Sequence, residues 1–87
     1  METLNYNIIL RSEPEGGFTV FVPSLPGCIT YGKTVAEARE MAEDAIKGYI
    51  YVLKKNGEPI PIDDNSIVAS VRVRTSTKTK GKPRVYA

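Results

Sequence analysis

The stretch Pro23-Ser24-Leu25-Pro26-Gly27-Cys28-Ile29-Thr30-Tyr31-Gly32-Lys33-Thr34 constrains the fold more than any other part of the chain. It carries two of the six prolines and two of the seven glycines. Proline has no N–H to give to a strand ladder, so Pro23 and Pro26 must end whatever strand precedes them. Thr34, with Glu37 three residues on, has the spacing of a capping box that opens a helix. The stretch therefore turns the chain, leaves room for one short strand over residues 28–32, and launches a helix.

The flanks fit that frame. Residues 6–12 alternate, with Tyr6, Ile8 and Leu10 on one face and Asn7, Ile9 and Arg11 on the other. Glu13-Pro14-Glu15-Gly16-Gly17 reads as a turn. Phe18, Val20 and Val22 then alternate with Thr19 and Phe21, which predicts a β-hairpin. After Thr34, the residues Val35, Ala38, Ala42, Ala45, Ile46, Tyr49, Val52 and Leu53 form one apolar stripe at helical spacing. Acids sit early in this helix and lysines late, as the helix dipole favours. Asn56-Gly57 stops it, and Pro59 and Pro61 prevent its continuation. Residues 57–65 form a polar connection. Residues 66–75 alternate again and are rich in branched side chains, which predicts a fourth strand. The expected fold class is α+β: a small two-layer β-β-β-α-β domain over residues 1–75, with a mostly antiparallel sheet and one long helix on one face. Residues 76–87 are expected to be a basic flexible tail.

Composition narrows the function. The 87 residues, 41% hydrophobic and 25% charged, are enough for one folded domain. No apolar run is long enough to cross a bilayer, and no signal pattern opens the chain, so a cytoplasmic protein with no membrane partner is expected. Cys28 is the only cysteine, which rules out an intrachain disulfide and a cysteine-based zinc site within one chain; a small buried residue is the simplest reading. The chain has no histidine, which removes the Ser-His and Cys-His nucleophile pairs and the usual general base. The acids do not fall mid-strand, where they could converge on a metal: Glu13 and Glu15 lie at the hairpin tip, and Asp63-Asp64 reads as a solvated pair in a loop. No glycine-rich phosphate loop opens the helix. The expectation is a protein without cofactor, without metal and without catalytic residues.

What remains is binding. Residues 1–65 hold six basic and ten acidic residues, a net of −4, while residues 66–87 hold six basic residues and no acid, a net of +6. Glu37, Glu40, Glu43 and Asp44 serve solubility and capping, or present an acidic face to a basic protein partner. Lys78, Lys80, Lys82 and Arg84 form either a solvated terminus or a weak, salt-sensitive, non-specific contact to nucleic acid. If the face of Tyr6, Ile8, Leu10, Phe18, Val20 and Val22 meets the helix, Ile9, Phe21 and Val68 are left on the other face and point to a subunit contact.

Gly16-Gly17-Phe18, then Pro23-Ser24-Leu25-Pro26-Gly27-Cys28, then Gly32-Lys33-Thr34, then Glu37-Ala38 and Ala42 through Ala45-Ile46 resemble the HicB family, the antitoxins of HicA–HicB toxin–antitoxin pairs. The likeness covers about residues 5–62. It implies a partial ribonuclease-H-like fold, homo-oligomers (dimer or tetramer), and a HicA-like toxin partner: a small basic mRNA interferase whose active site the antitoxin covers. The family often has Asp where this chain has Ser24, and an acid where it has Lys33. Many members continue into a C-terminal DNA-binding domain, which the strand and tail after residue 65 do not resemble, so promoter binding is not implied. The leading expectation is a non-catalytic antitoxin-like binding protein. The alternatives are an orphan homo-oligomeric scaffold or weak nucleic-acid binder of the same family and, less simply, a metal-dependent nuclease with a degenerate site.

Overall fold

The computed structural model describes residues 3–63 and 65–76. The elements run β1 (Ile9–Ser12), β2 (Phe18–Phe21), β3 (Ile29–Gly32) and α1 (Val35–Lys55). The strands form one antiparallel sheet in the order β1-β2-β3. Ile9 faces Phe21 and Leu10 faces Val20 across the first pair, and Phe21 faces Ile29 across the second. The α+β architecture of one sheet and one long helix is the one the patterning predicts.

Both ends of α1 follow from local chemistry. The Glu37 N–H donates to Thr34 Oγ1 at 3.0 Å, satisfying one of the amide donors that no helix can pair internally. The Glu37 carboxylate reaches back to the Lys33 N–H at 2.5 Å, one residue before the position a standard capping box would use. At the other end Gly57 takes a φ of +69°, its N–H donates to the Lys54 carbonyl, and the Glu58 N–H donates to the Leu53 carbonyl. This is a Schellman close, built on the one residue type that adopts this backbone without strain.

The core lies between the sheet and the helix in two adjoining clusters. Val20, Ala38 and Ala42 form one, with Ile8, Leu10 and Phe18 packed against it. Val22, Leu25 and Cys28 form the other, with Tyr6, Ala45, Ile46 and Tyr49 around it. The sheet face expected to meet the helix does so. Small side chains permit the close approach: a Cβ on Gly32 would collide with the backbone of Ala38, so only glycine lets β3 pass under the first turn of α1. The stripe on the helix is narrower than its spacing suggests, because Val35 and Val52 are each 52% exposed. They sit at its two ends, where the short strands no longer reach.

Residues 22–28 are tied into a knot that Leu25 fills. The Leu25 N–H donates to the Val22 carbonyl, the Cys28 N–H to the Leu25 carbonyl, and the Val22 N–H to the Cys28 carbonyl. Leu25 is fully buried, and the Tyr49 hydroxyl caps the turn by donating to the Pro26 carbonyl at 2.7 Å. The proline-bounded stretch thus ends β2, drives a leucine into the core, and returns as β3.

Two expectations are corrected. Residues 66–75 keep the alternation of a strand, but residues 66–76 pair with no strand and are exposed throughout. A strand needs a neighbour to accept its ladder, and within the described residues this segment has none. Asp63 is not a solvated loop acid: it is 6% exposed, and its Oδ2 accepts the Asn7 N–H at 2.8 Å, holding the loop after the helix against the start of β1. Residues 77–87, with the predicted contacts Lys78, Lys80, Lys82 and Arg84, lie outside the described residues.

Candidate binding surfaces

Three surfaces carry the residues singled out by the sequence. The first is the sheet face turned away from α1. Ile9, Phe21 and Ile29 lie side by side across the three strands, 42% exposed at Ile9, half-buried at Phe21 and 56% exposed at Ile29. The Arg11 guanidinium lies 5.0 Å from the centre of the Phe21 ring, a cation–π distance. Arg11 is also paired with Glu13 at 3.1 Å, and the Thr19 hydroxyl donates to the same carboxylate oxygen at 2.5 Å. The Thr19 hydroxyl and then Arg11 hold the Glu13 carboxyl below the usual range. Ile9 and Phe21 therefore do form one patch. Val68 lies on the segment after the helix and shares a small cavity of about 320 Å³ with Ile9 and Asn7. Ile29 belongs to the same row and is absent from the expected set. The alternation of β3 placed it on a common side with Tyr31, but only the register with Phe21 shows which side that is.

The second surface is the helix. Glu37, Glu40, Glu43 and Asp44 are all exposed. They do not act as one unbroken acidic patch. Glu37 is engaged at the helix start with the Lys33 N–H, and Glu43 pairs with Lys47 at 3.3 Å along the helix. Exposed pairs of this kind contribute little to stability, so Glu40, Glu43 and Asp44 keep their charge available to an incoming cation. Glu40 and Glu43 line an open groove of about 1080 Å³, together with the cations Arg39, Lys47 and Lys54. Its floor comes from the segment before β1 (Leu4, Tyr6, Ile8) and from one flank of α1 (Ala42, Ile46, Ile50). The helix packs over β3 and β2, so the side of β1 is left without a cover, and this groove is the result.

The third surface is residues 66–76. Ile67 is 87% exposed, Val68 61%, Val71 83% and Val73 73%. The root of the segment is fixed: Asn7 Nδ2 donates to the Ser66 carbonyl at 2.9 Å, beside the Asp63 anchor. The nearby Ser66 hydroxyl, the Asn7 N–H and the Ser24 hydroxyl hold the Asp63 carboxyl below the usual range, against the opposing effect of burial. Ser24 has its structural place here, at the position where the resembling family often carries Asp.

The proline- and glycine-containing stretch between β2 and α1 supports these surfaces. Pro23, Leu25, Pro26 and Cys28 build the Leu25 knot, Gly32 gives the close pass, and Thr34 caps the helix. Gly16 and Gly17 form the hairpin turn, Gly27 holds a φ of +82° in the turn before β3, and Phe18 flanks the first core cluster. The Tyr31 hydroxyl donates to the Gly16 carbonyl, and no side chain at residue 17 could sit beside that ring. The Cys28 thiol is buried and unbridged, and burial pushes its pKa up, away from the reactive thiolate. Among the described residues no three acids or cysteines come together in a way that could hold a metal ion, and no helix is long and apolar enough to cross a membrane.

Comparison with known proteins places the chain. The profile of the family described as HicB_like antitoxin of bacterial toxin-antitoxin system matches residues 6–78. A UPF0150 protein of Thermoplasma acidophilum is 44% identical over 61 residues, which is 70% of this chain and 88% of that one. A UPF0150 protein of Synechocystis is 38% identical over 60 residues, 69% of this chain and 76% of that one. Antitoxin HicB of Escherichia coli K12 is 37% identical over 59 residues; the match covers 68% of this chain but only 43% of that longer protein. The matched region contains the hairpin, the Leu25 knot and the capped helix, so the chain belongs to the HicB-like antitoxin family.

Proposed function

We propose that this protein acts by binding alone, as the antitoxin partner of a small basic HicA-type mRNA interferase, which it sequesters. The family match over residues 6–78 carries the reading. The surface chemistry agrees with it. Residues 1–65 have a net charge of −4, and exposed Glu40 and Glu43 edge a groove with an apolar floor. The net negative charge of residues 1–65 speeds the approach of a basic protein, and the apolar floor supplies the contact that outlasts the encounter. The candidate contact residues are Glu37, Glu40, Glu43 and Asp44, of which Glu40 and Glu43 are the two at the groove. The match covers only 43% of Antitoxin HicB of Escherichia coli K12, and repression of a promoter forms no part of the proposal.

The test is co-expression with the small basic protein encoded beside this gene. Restored growth and a complex that survives purification are expected. Replacing Glu40 and Glu43 by lysine should slow association, most strongly at low salt, where exposed charges are least screened. No complex at micromolar concentration, with both proteins folded, would remove the antitoxin reading. A second reading, an orphan homo-oligomeric scaffold, draws on the exposed row of Ile9, Phe21 and Ile29; it expects self-association and no binding to a toxin. Contact with nucleic acid through Lys78, Lys80, Lys82 and Arg84 is the weaker form of that reading, tested by a gel shift at low and physiological salt.

A further inference from the structure

We propose that the small pocket beside Asp63 seats a lysine side chain of the basic toxin, whose ammonium pairs with the buried carboxylate. The identity of the partner rests on the antitoxin reading; the chemistry of the pocket does not.

One oxygen of Asp63 is buried without a partner. The residue is 6% exposed, and its Oδ2 accepts the Asn7 N–H at 2.8 Å, but its Oδ1 accepts no hydrogen bond. Buried polar atoms in folded proteins are nearly always paired, and a buried charge more strictly so. The Ser24 and Ser66 hydroxyls lie near enough to favour the charged carboxylate, yet neither forms a hydrogen bond to Oδ1. The fold itself has no use for the charge. The tie to Asn7 needs one acceptor, which asparagine would supply without burying an anion.

The pocket has the shape of a missing basic side chain. It measures about 320 Å³, and Asp63 is the only charged residue that lines it. Arg11, on the same face of β1 as Ile9, is engaged with Glu13 and the Phe21 ring. Ile9, Pro23, Val68 and Ala69 give the pocket apolar walls, while Asn7, Ser24 and Ser66 gather oxygen atoms around the carboxylate. An alkyl stem with a charged tip uses both parts. A bare divalent ion would find one carboxylate and several walls without donors, a poor match for six to eight oxygen ligands. Among basic side chains the pocket favours lysine. Oδ2 is already engaged, so the two-point fork of a guanidinium has one free oxygen to meet, whereas an ammonium donates to Oδ1 and to the serine hydroxyls singly. Residues 66–69 form one wall; they are exposed and pair with no strand, so this wall can shift to admit the tip.

The position suits a protein partner. Tyr6 and Ile8 line the groove beside α1, and Asn7 and Ile9 line this pocket, so the two open on opposite faces of one stretch of chain. Ile9 also begins the exposed row that continues through Phe21 and Ile29.

Two measurements test the proposal on the full chain. In the first, N-acetyl-lysine methylamide is titrated in and followed by amide NMR shifts. Shifts centred on Asn7, Ser24 and Ser66 are expected, with a weaker response to the arginine analogue and none to the norleucine analogue, which has the stem without the charge. Asp63→Asn should abolish the response. So should Val68→Lys, which offers the pocket an ammonium of its own from a position that is 61% exposed and decides the matter if Asp63→Asn loses its fold by circular dichroism. In the second, calorimetry with the toxin should show each folded variant binding at least about 30-fold more weakly than the parent, the loss ordinary for one half of a buried charge pair. Equal response to the lysine and norleucine analogues overturns the proposal, and so does a response to calcium chloride alone, which would make the pocket an ion site. Undiminished toxin binding by both variants overturns it while leaving the antitoxin reading intact. A parent chain that binds the lysine analogue but no toxin overturns the named occupant together with that reading.

Discussion

Leu25→Ala tests the claim that the proline-bounded knot is the pillar of the fold. Leu25 is fully buried in the second core cluster, against Val22, Cys28, Ala45, Ile46 and Tyr49. Truncation to alanine removes three carbon groups, about 2.4 kcal/mol at about 0.8 kcal/mol each. The cavity left behind adds to this wherever the surroundings cannot collapse. Here they are held: the backbone on both sides of residue 25 is fixed by hydrogen bonds to Val22 and Cys28, and the turn is tied to the helix through Tyr49 and Pro26. The expected loss is about 3–4 kcal/mol. A domain of this size has only about 4–13 kcal/mol in all, so the variant sits near the edge of folding. Thermal unfolding should drop by at least about 12 °C, since each kcal/mol moves the midpoint of such a domain by about 4–8 °C. Urea unfolding followed by circular dichroism measures the loss directly. Val52→Ala is the control: it lies in the same apolar stripe of the sequence but is 52% exposed, and alanine is the better helix former, so its effect should be within about 0.5 kcal/mol of zero. A Leu25→Ala loss below about 1 kcal/mol, or a Val52→Ala loss equal to it, would refute the reasoning.

Other substitutions separate the remaining roles. Gly32→Ala places a Cβ against the Ala38 backbone and should cost about 1–3 kcal/mol, read by urea unfolding; a neutral result would show that β3 and α1 are not held in close contact. Thr34→Ala removes the side-chain cap of α1 and should cost about 1 kcal/mol, with a matching loss of helix signal at partial denaturation. The pH dependence has a definite sign. Asp63 and Glu13 are held below their ordinary carboxyl range in the folded protein, so their stabilisation is complete above the unfolded value near 4 and is lost as pH falls through the lower folded value. Asp63→Asn should therefore flatten the fall in stability below about pH 4 while leaving its course near neutrality unchanged; an unchanged acid limb would show that Asp63 is not ionised where it is buried.

The parts of the structure set by neighbours in sequence were legible before any coordinates. The Thr34 and Glu37 spacing set where α1 begins, and Asn56-Gly57 set where it ends. The alternation of Phe18, Val20 and Val22 identified the buried sheet face. The parts set by long-range partners were not. Asp63 looks like half of a solvated acid pair until the Asn7 amide, 56 residues away in sequence, is seen to donate to it. Ile29 joins the far-face row only through its register with Phe21. Residues 66–75 have the pattern of a strand, but a pattern does not supply the partner that makes one. The binding surfaces were half legible for the same reason: Glu40 and Glu43 are visible as acids, whereas the groove they edge exists only because the helix stops short of covering β1.

The antitoxin account is tested most directly by titrating this protein into a fixed amount of the small basic protein encoded beside it while following RNA cleavage. The account predicts that cleavage falls linearly and ends at a fixed stoichiometric ratio, and that Glu40→Lys with Glu43→Lys shifts the titration to higher concentration at low salt. Undiminished cleavage in the presence of excess folded protein would contradict it.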